Sequence, residues 1–293
     1  MTLEQLRIFV AVAERQHLTQ AADALALTPS AVSSSIRALE ERYGTPLFNR
    51  VGRRIETNEA GRIFLAEARA TLASARAAER TLAELSGLKR GTLNLQASQT
   101  IASYWLPPLL VQFHQTYPLV DLCLTVGNTR SVAQAVVEGT ADLGFIEGPI
   151  DEPALSVETI GEDRIVVVVA PGHPWAGGNR LAPADLLAGK WIMREPGSGT
   201  RSAFESMLKA IGVEPGELSV ALTLPSNAAV RAAVMAGPFA TAVSKLVVAP
   251  HLKAGLLSMA NIDLPPRSFY QLRHKARYQS KASLAFEQMI RQH

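Results

Sequence analysis

Within the first 62 residues three short amphipathic segments are followed by a basic hairpin, and the joint between the second and third leaves the backbone few choices. Leu6, Phe9, Val10 and Ala13 recur at the spacing of one helical face, and Ala21, Ala22 and Leu25 do the same for a second, shorter helix. Ala26-Leu27-Thr28-Pro29-Ser30 then supplies a turn, a hydroxyl at Thr28 to cap the next helix, and a proline at its first position, where a missing N–H costs nothing. The third helix therefore starts near Pro29. Its apolar face is Val32, Ile36, Leu39 and Tyr43, while Ser30, Ser33, Ser34 and Arg37 fall on a separate stripe. Ser33, Ser34 and Ser35 are middling helix formers whose hydroxyls compete with the backbone, so helix stability alone would favour alanine there.

A polar stripe with no packing role is a contact surface or a solvated face. Short hydroxyl side chains beside an arginine suit the floor of a DNA major groove, because the helix backbone can come close while the side chains still offer donors and acceptors to base edges. After Gly44 the chain anchors itself with Pro46-Leu47-Phe48, then presents Arg50, Arg53 and Arg54 before Ile55 and Thr57. That is the pattern of a two-stranded wing whose arginines reach phosphates or the minor groove.

The run Leu18-Thr19-Gln20-Ala21-Ala22-Asp23-Ala24-Leu25, then Pro29-Ser30-Ala31-Val32-Ser33, Ile36, Leu39-Glu40, Gly44, Leu47-Phe48, Arg50 and Glu59-Ala60-Gly61, resembles the LysR-type bacterial transcriptional regulators. The resemblance extends over the whole chain. It implies an N-terminal all-α winged helix-turn-helix at 1–58 and a long linker (dimerisation) helix at 59–88. It further implies a C-terminal α/β effector domain of two lobes resembling periplasmic binding proteins, one lobe from 92–161 and 267–293 and the other from 162–266. Two departures stand out: His17 where a capping serine is usual, at a cost of about 1 kcal/mol to the cap, and Thr57-Asn58 in place of the commoner Leu-Thr.

The surplus of positive charge lies where a DNA reader would need it. Residues 1–90 hold 13 Lys or Arg against 10 Asp or Glu, and the remainder balances at 16 against 16. With 293 residues, 47% of them hydrophobic, the chain can bury more than one core. No apolar run is long enough for a bilayer and the start Met1-Thr2-Leu3-Glu4 lacks a signal peptide, so a cytoplasmic protein without a membrane partner is expected. A single cysteine, Cys123, excludes an internal disulfide and a cysteine metal cluster, and its place among Val120, Leu122, Leu124 and Val126 predicts a small buried hydrophobe. No metal or cofactor is expected.

From Asn58 to about Leu88 the sequence is rich in alanine, arginine, glutamate and leucine, and Phe64, Ala68, Thr71, Ala75, Ala78, Leu82 and Leu85 alternate steps of four and three. This is a coiled-coil seam on a long helix; the alternative is a helix lying on its own domain. A dimer would set two recognition helices on the halves of a near-palindromic double-stranded operator, and the resemblance implies tetramers of two dimers, with RNA polymerase as a further contact. Gly87 to Gly91 reads as a hinge. Beyond it short apolar strands alternate with amphipathic helices, the mark of a parallel sheet in an α/β domain, and Ile165-Val166-Val167-Val168-Val169 reads as a fully buried strand. The chain is expected to cross between lobes near Gly161 and near Pro265-Pro266.

Ligands of open α/β sheets sit beyond the carboxyl ends of strands, where helix N-termini offer N–H groups. Ser98-Gln99-Thr100, Asn128-Thr129 and Pro196-Gly197-Ser198-Gly199-Thr200-Arg201 meet that description, and Ser226-Asn227 could close the same cleft. In the third segment glycines permit close approach, hydroxyls donate, the dipole favours an anion and Arg201 adds charge, although a plain capping loop would use the same residues. Arg194 to Arg201 is similar to the effector loop of the carbon-fixation and cysteine-regulon branches of the family. The expected effector is therefore a small molecule, an anion, held by Ser98, Gln99, Thr100, Thr129, Ser198, Gly199, Thr200, Arg201 and Asn227. Phe239, where relatives have a second glycine, is expected to narrow the cleft or reshape a subunit contact.

The bases are expected to be read by Ser30, Ser33, Ser34 and Arg37, with Thr28 and Pro29 at the helix start, while Thr19, Arg50, Arg53 and Arg54 hold the backbone or enter the minor groove. A two-lobed receptor or enzyme that does not read DNA is the competing class. No His-Glu-x-x-His, Gly-x-Ser-x-Gly, Rossmann or Walker pattern is present, so an enzyme is not expected. His173 and His114 read as surface or packing residues. The C-terminal run Arg267, Arg273, His274, Lys275, Arg277 and Lys281 reads as a solvated face.

Overall fold

The computed structural model describes residues 1–293 apart from Gly52, Arg53, residues 86–90, Pro149 and His293. The expected hinge and the expected Arg53 contact lie largely or wholly outside the described residues. The chain forms two compact units.

The N-terminal unit holds α1 (Leu3–Arg15), α2 (Leu18–Leu25), α3 (Pro29–Tyr43), a hairpin of β1 (Phe48–Val51) and β2 (Arg54–Thr57), and α4 (Glu59–Leu85). Each helix start has its own chemistry. Thr2 and Gln5 form a reciprocal capping box, and Thr28 Oγ1 accepts the Ala31 N–H at 3.2 Å with Pro29 at the first position. His17 caps α2 through Nδ1, which accepts the Gln20 N–H at 3.4 Å, a long bond consistent with a weaker cap. Asn58 donates to the Pro46 carbonyl and accepts the Gly61 N–H, both at 2.8 Å, so it ties the wing to the start of α4. The core is Leu6, Phe9, Val12, Ala21, Ala22, Val32, Ile36 and Leu39 with Leu47, Phe48 and Ile55 of the hairpin region. Tyr43 does not join it: the ring is 55% exposed, at the last turn of α3, with the Arg42 guanidinium 5.7 Å above it.

The long helix departs from a continuous seam. Ala68 and Leu72 are buried in the core of the N-terminal unit with Phe64 packed against them, whereas Thr71, Ala78 and Leu82 are exposed. The straight 3.6-residue period rotates the stripe, so its first turns serve their own domain and its later turns remain outward.

The C-terminal unit contains β3 (Gly91–Ser98), a π-type turn at Ile101–Trp105, α5 (Leu106–Thr116), β4 (Val120–Gly127), α6 (Thr129–Glu138), β5 (Leu143–Glu147), β6 (Leu155–Val169), α7 (Pro183–Ala188), β7 (Lys190–Arg194), α8 (Gly199–Ala210), β8 (Ser219–Leu224), α9 (Asn227–Met235), β9 (Ala240–Ser244), α10 (Lys245–Lys253), β10 (Ser258–Met259), β11 (Pro266–His274) and α11 (Lys281–Arg291). The strand order is β4-β3-β5-β11-β6-β9-β7-β8, with β10 on β6. β3 pairs in parallel with β4 and β5, and β7 does so with β8 and β9; β11 and β6 are antiparallel between them.

Two lobes follow from how β6 is shared. Its first part, to Arg164, pairs with β11, and from Ile165 onward it pairs with β9, so the chain passes from one lobe to the other between Arg164 and Ile165 and returns into β11 at Pro266. Gly161 itself lies within the pairing, opposite Phe269. The first lobe has a core of Leu93, Leu95, Ile101, Phe113, Phe145, Phe269 and Phe286. The second has Trp191, Phe204 and Leu208 on one side of its sheet and Val168, Ile192, Val230 and Val243 on the other. Three expectations are corrected here. Cys123 is exposed, because β4 is an edge strand packed on one face only, through Leu122 and Leu124. Phe239 packs against the second-lobe core, and a side chain on Gly237 would meet its ring at 2.7 Å. Arg267 is buried at 6% exposure on β11 and is no part of a solvated face.

Candidate functional site

Along α3, Ser30, Ser34 and Arg37 are exposed and Ser33 is half-buried, while Val32, Ile36 and Leu39 face the core. Two periodicities thus coexist on one helix. Thr19, in the first turn of α2, and Pro29 are exposed. Thr28 and Ser30 share a hydrogen bond at 3.0 Å while Thr28 also caps, so Thr28 orders the helix start from which Ser30 projects. Arg50 and Arg54 belong to the two strands of the hairpin, with the backbone of Arg50 paired to Ile55 and that of Arg54 to Val51.

In the C-terminal unit the predicted segments converge. Ser98 ends β3, Thr129 opens α6, Glu147 ends β5, Ser198 caps α8 and Ser226 caps α9. Gln99 and Thr100 of the first lobe bind Asn227 of the second: the Asn227 N–H donates to Gln99 Oε1 at 2.9 Å, and Asn227 Nδ2 donates to Thr100 Oγ1 at 3.2 Å. Gln99 Nε2 also donates to the Pro225 carbonyl at 3.2 Å. Asn227 Oδ1 accepts from Arg194, whose guanidinium is held by Glu195 at 2.7 and 2.8 Å. Four polar groups that the sequence presents separately therefore form one latch across the lobes.

Around the start of α8 lies a second cluster. Thr200 Oγ1 is 3.5 Å from Glu147 Oε2 and accepts from Arg267 Nη1 at 3.2 Å. Arg267 Nη2 lies 2.6 Å from Asp163 Oδ2, and its Nη1 lies 3.4 Å from Glu147 Oε2. Ser244 donates to the other Asp163 oxygen at 2.8 Å. All of these side chains are buried. The close approach needs Gly199: a Cβ there would stand 2.6 Å from both the Glu147 carbonyl and Thr129 Oγ1. Thr129 Oγ1 in turn donates to that carbonyl at 3.3 Å. Arg201 is placed differently from the other predicted residues. Its guanidinium binds Glu205 at 2.7 Å and the Arg194 carbonyl at 3.0 Å, and so braces the loop.

Sequence reasoning missed Glu147, Asp163 and Arg267. They come from β5, β6 and β11, far apart in the chain, and only the pairing of β11 with both other strands brings them together. A glutamate closing the apolar run Leu143 to Ile146 was the one local signal.

An exposed recognition stripe beside a hairpin wing, together with a two-lobed α/β domain that has polar groups converging between its lobes, defines a DNA-binding regulator with an effector-binding domain. Residues 3–62 match the model of the bacterial regulatory helix-turn-helix protein, lysR family, and residues 86–293 match the LysR substrate binding domain. The chain belongs to the LysR family of transcriptional regulators. It is 35% identical over 288 residues, 98% of this chain and 96% of the relative, to an uncharacterized HTH-type transcriptional regulator, YeiE, of Escherichia coli K12. Its fold is similar to that of full-length CbnR in complex with its target DNA, with a TM-score of 0.71, 24% identity and coverage of 100% and 99% of the two chains. It is also similar to the CcmR regulatory domain of Synechocystis in complex with 2-PG, with a TM-score of 0.64, 27% identity, and coverage of 69% of this chain and 97% of that one. Among the described residues no helix is long and apolar enough to cross a membrane.

Proposed function

We propose that this regulator reads a near-palindromic operator as a homo-oligomer in the cytoplasm, and that a small anion held between the lobes changes its output at the promoter. The observation that carries the effector reading is the start of α8. Helix N-termini attract negative charge because their first N–H groups have no intrahelical acceptor, and here that terminus meets Thr200 and the buried Arg267. Ser98, Gln99, Thr100, Thr129, Ser198, Gly199, Thr200 and Asn227 surround the anion in this reading, with Arg267 as the cation and Arg201 as a brace. The similarity to the CcmR regulatory domain with 2-PG supports a small ligand in this class of domain.

On the DNA side, Ser30, Ser33, Ser34 and Arg37 read base edges, with Thr28 and Pro29 fixing the start of α3, while Thr19, Arg50, Arg53 and Arg54 hold phosphates or the minor groove. A second copy covers the apolar groove of about 430 Å³ lined by Leu39, Tyr43, Leu47, Ile63 and Phe64, where Ile63 is 66% exposed. Pairing of dimers gives a tetramer, and RNA polymerase is the further contact through which output changes. In domain terms, 1–58 reads DNA, 59–88 links, 92–161 with 267–293 forms one lobe and 162–266 the other.

Footprinting on the DNA upstream of the gene, across a salt series and with a panel of anions, tests the reading. A protected near-palindrome whose extent changes with one anion is expected, and in Thr200→Val the change with anion is lost while operator protection remains. A response that survives in Thr200→Val removes the α8 loop from effector binding.

A further inference from the structure

The same cluster carries a surplus of negative charge that a simple anion site would not. Both buried arginines between the lobes are already matched: Arg194 by Glu195, and Arg267 by two carboxylates, Asp163 and Glu147. The Arg267 triad therefore sums to one negative charge while being buried throughout. Glu147 is 3% exposed, and among the described residues its Oε1 has no hydrogen-bond partner, nor has the buried Ser98 Oγ at the end of the neighbouring strand. Its other oxygen, Oε2, lies against the first turn of α8, 2.9 Å from where a Gly199 Cβ would stand. The seat thus combines N–H groups that attract an anion with a fixed carboxylate oxygen that only accepts. A ligand whose oxygens are all acceptors would satisfy the helix and the arginine but would face the lone pairs of Glu147. One that also carries an O–H satisfies both, since an ionised carboxylate is a pure acceptor and a buried one is stabilised by each donor it gains.

Resting on the reading of this cleft as an anion site, we propose that its effector is an oxyanion that retains a proton, donated to Glu147 Oε1, so that Glu147 selects against fully deprotonated anions of the same shape.

Inorganic phosphate and sulfate in mildly alkaline buffer form the discriminating pair, because both are tetrahedral dianions and only phosphate keeps an O–H. Calorimetric titration of the full-length protein with each, at matched ionic strength, is expected to give phosphate binding at least about tenfold tighter than sulfate. Glu147→Gln, whose carboxamide donates as well as accepts, is expected to bring the two to within about threefold by admitting sulfate. Equal binding of both by the wild-type protein overturns the selection by Glu147 and leaves the anion site standing. So does a preference for phosphate that persists in Glu147→Gln, or binding of both anions only once Glu147 is replaced. Binding of neither by either protein overturns the anion reading and this inference with it. Should Glu147→Gln fail to fold, the wild-type pair alone decides.

Discussion

Single residues in this chain owe their identity to neighbours distant in sequence. Gly61 is helical, yet a Cβ on it would lie 2.1 Å from the Leu47 carbonyl oxygen, a clash with backbone that cannot rotate away. Gly61→Ala should therefore destabilise the N-terminal unit by at least about 2 kcal/mol even though alanine is the better helix former; an unchanged or raised melting temperature would refute the clash. His173 illustrates a titrating group with a structural task. Its Nδ1 accepts the Trp175 N–H at 3.1 Å, and burial holds its pKa below the ordinary imidazole value. The unfolded chain therefore takes up this proton first as pH falls, so the contribution of His173 is fully present above about 6.5 and declines on acidification below that. In an NMR titration the His173 midpoint should fall below that of a free imidazole, and one at or above it would contradict the burial argument.

At the scale of elements, α3 shows how one helix serves two masters. Its core face was legible from Val32, Ile36 and Leu39, and its outward stripe from the serines. Arg37→Ala should cost about 1 to 3 kcal/mol on the operator and relax its sequence preference; an equal loss on all sequences would make Arg37 a phosphate contact. The edge strand β4 and the long helix α4 mark where periodicity misleads. Alternation at Val120 to Val126 is real, but an edge strand packed on one face leaves Cys123 outside. The seam residues of α4 repeat as expected, yet Ala68 is taken by the core of its own unit while Leu82 is 69% exposed. Periodicity identifies a face and is silent on which partner covers it.

For the C-terminal unit as a whole, the important device is the latch between lobes. The lobes share two crossing strands, and Gln99, Thr100 and Asn227 hold their polar rims together. Gln99→Ala removes the acceptor of the Asn227 N–H, a bond worth about 1 kcal/mol net, so hydrogen exchange at the Asn227 amide should accelerate by roughly five- to tenfold. Unchanged protection there would mean that closure does not depend on the latch. A ligand entering between the lobes would act on the same bonds, which gives an effector a mechanical handle on lobe closure.

The sequence by itself determined what local chemistry can specify: helix starts at Thr2 and Thr28, the recognition stripe, the α/β alternation, and the strand-end segments that line the cleft. Those signals are short-range, carried by caps, periodicity and turn residues within a few positions of one another. Tertiary structure alone decided which charges meet. Arg267 looks like one member of a basic run until β11 inserts between β5 and β6 and sets it against Asp163 and Glu147. Arg201 looks like a ligand cation until Glu205, one helical turn on, engages it. A charged side chain's role follows from its partners, and in a chain that crosses twice between two lobes those partners are fixed by strand order rather than by sequence distance.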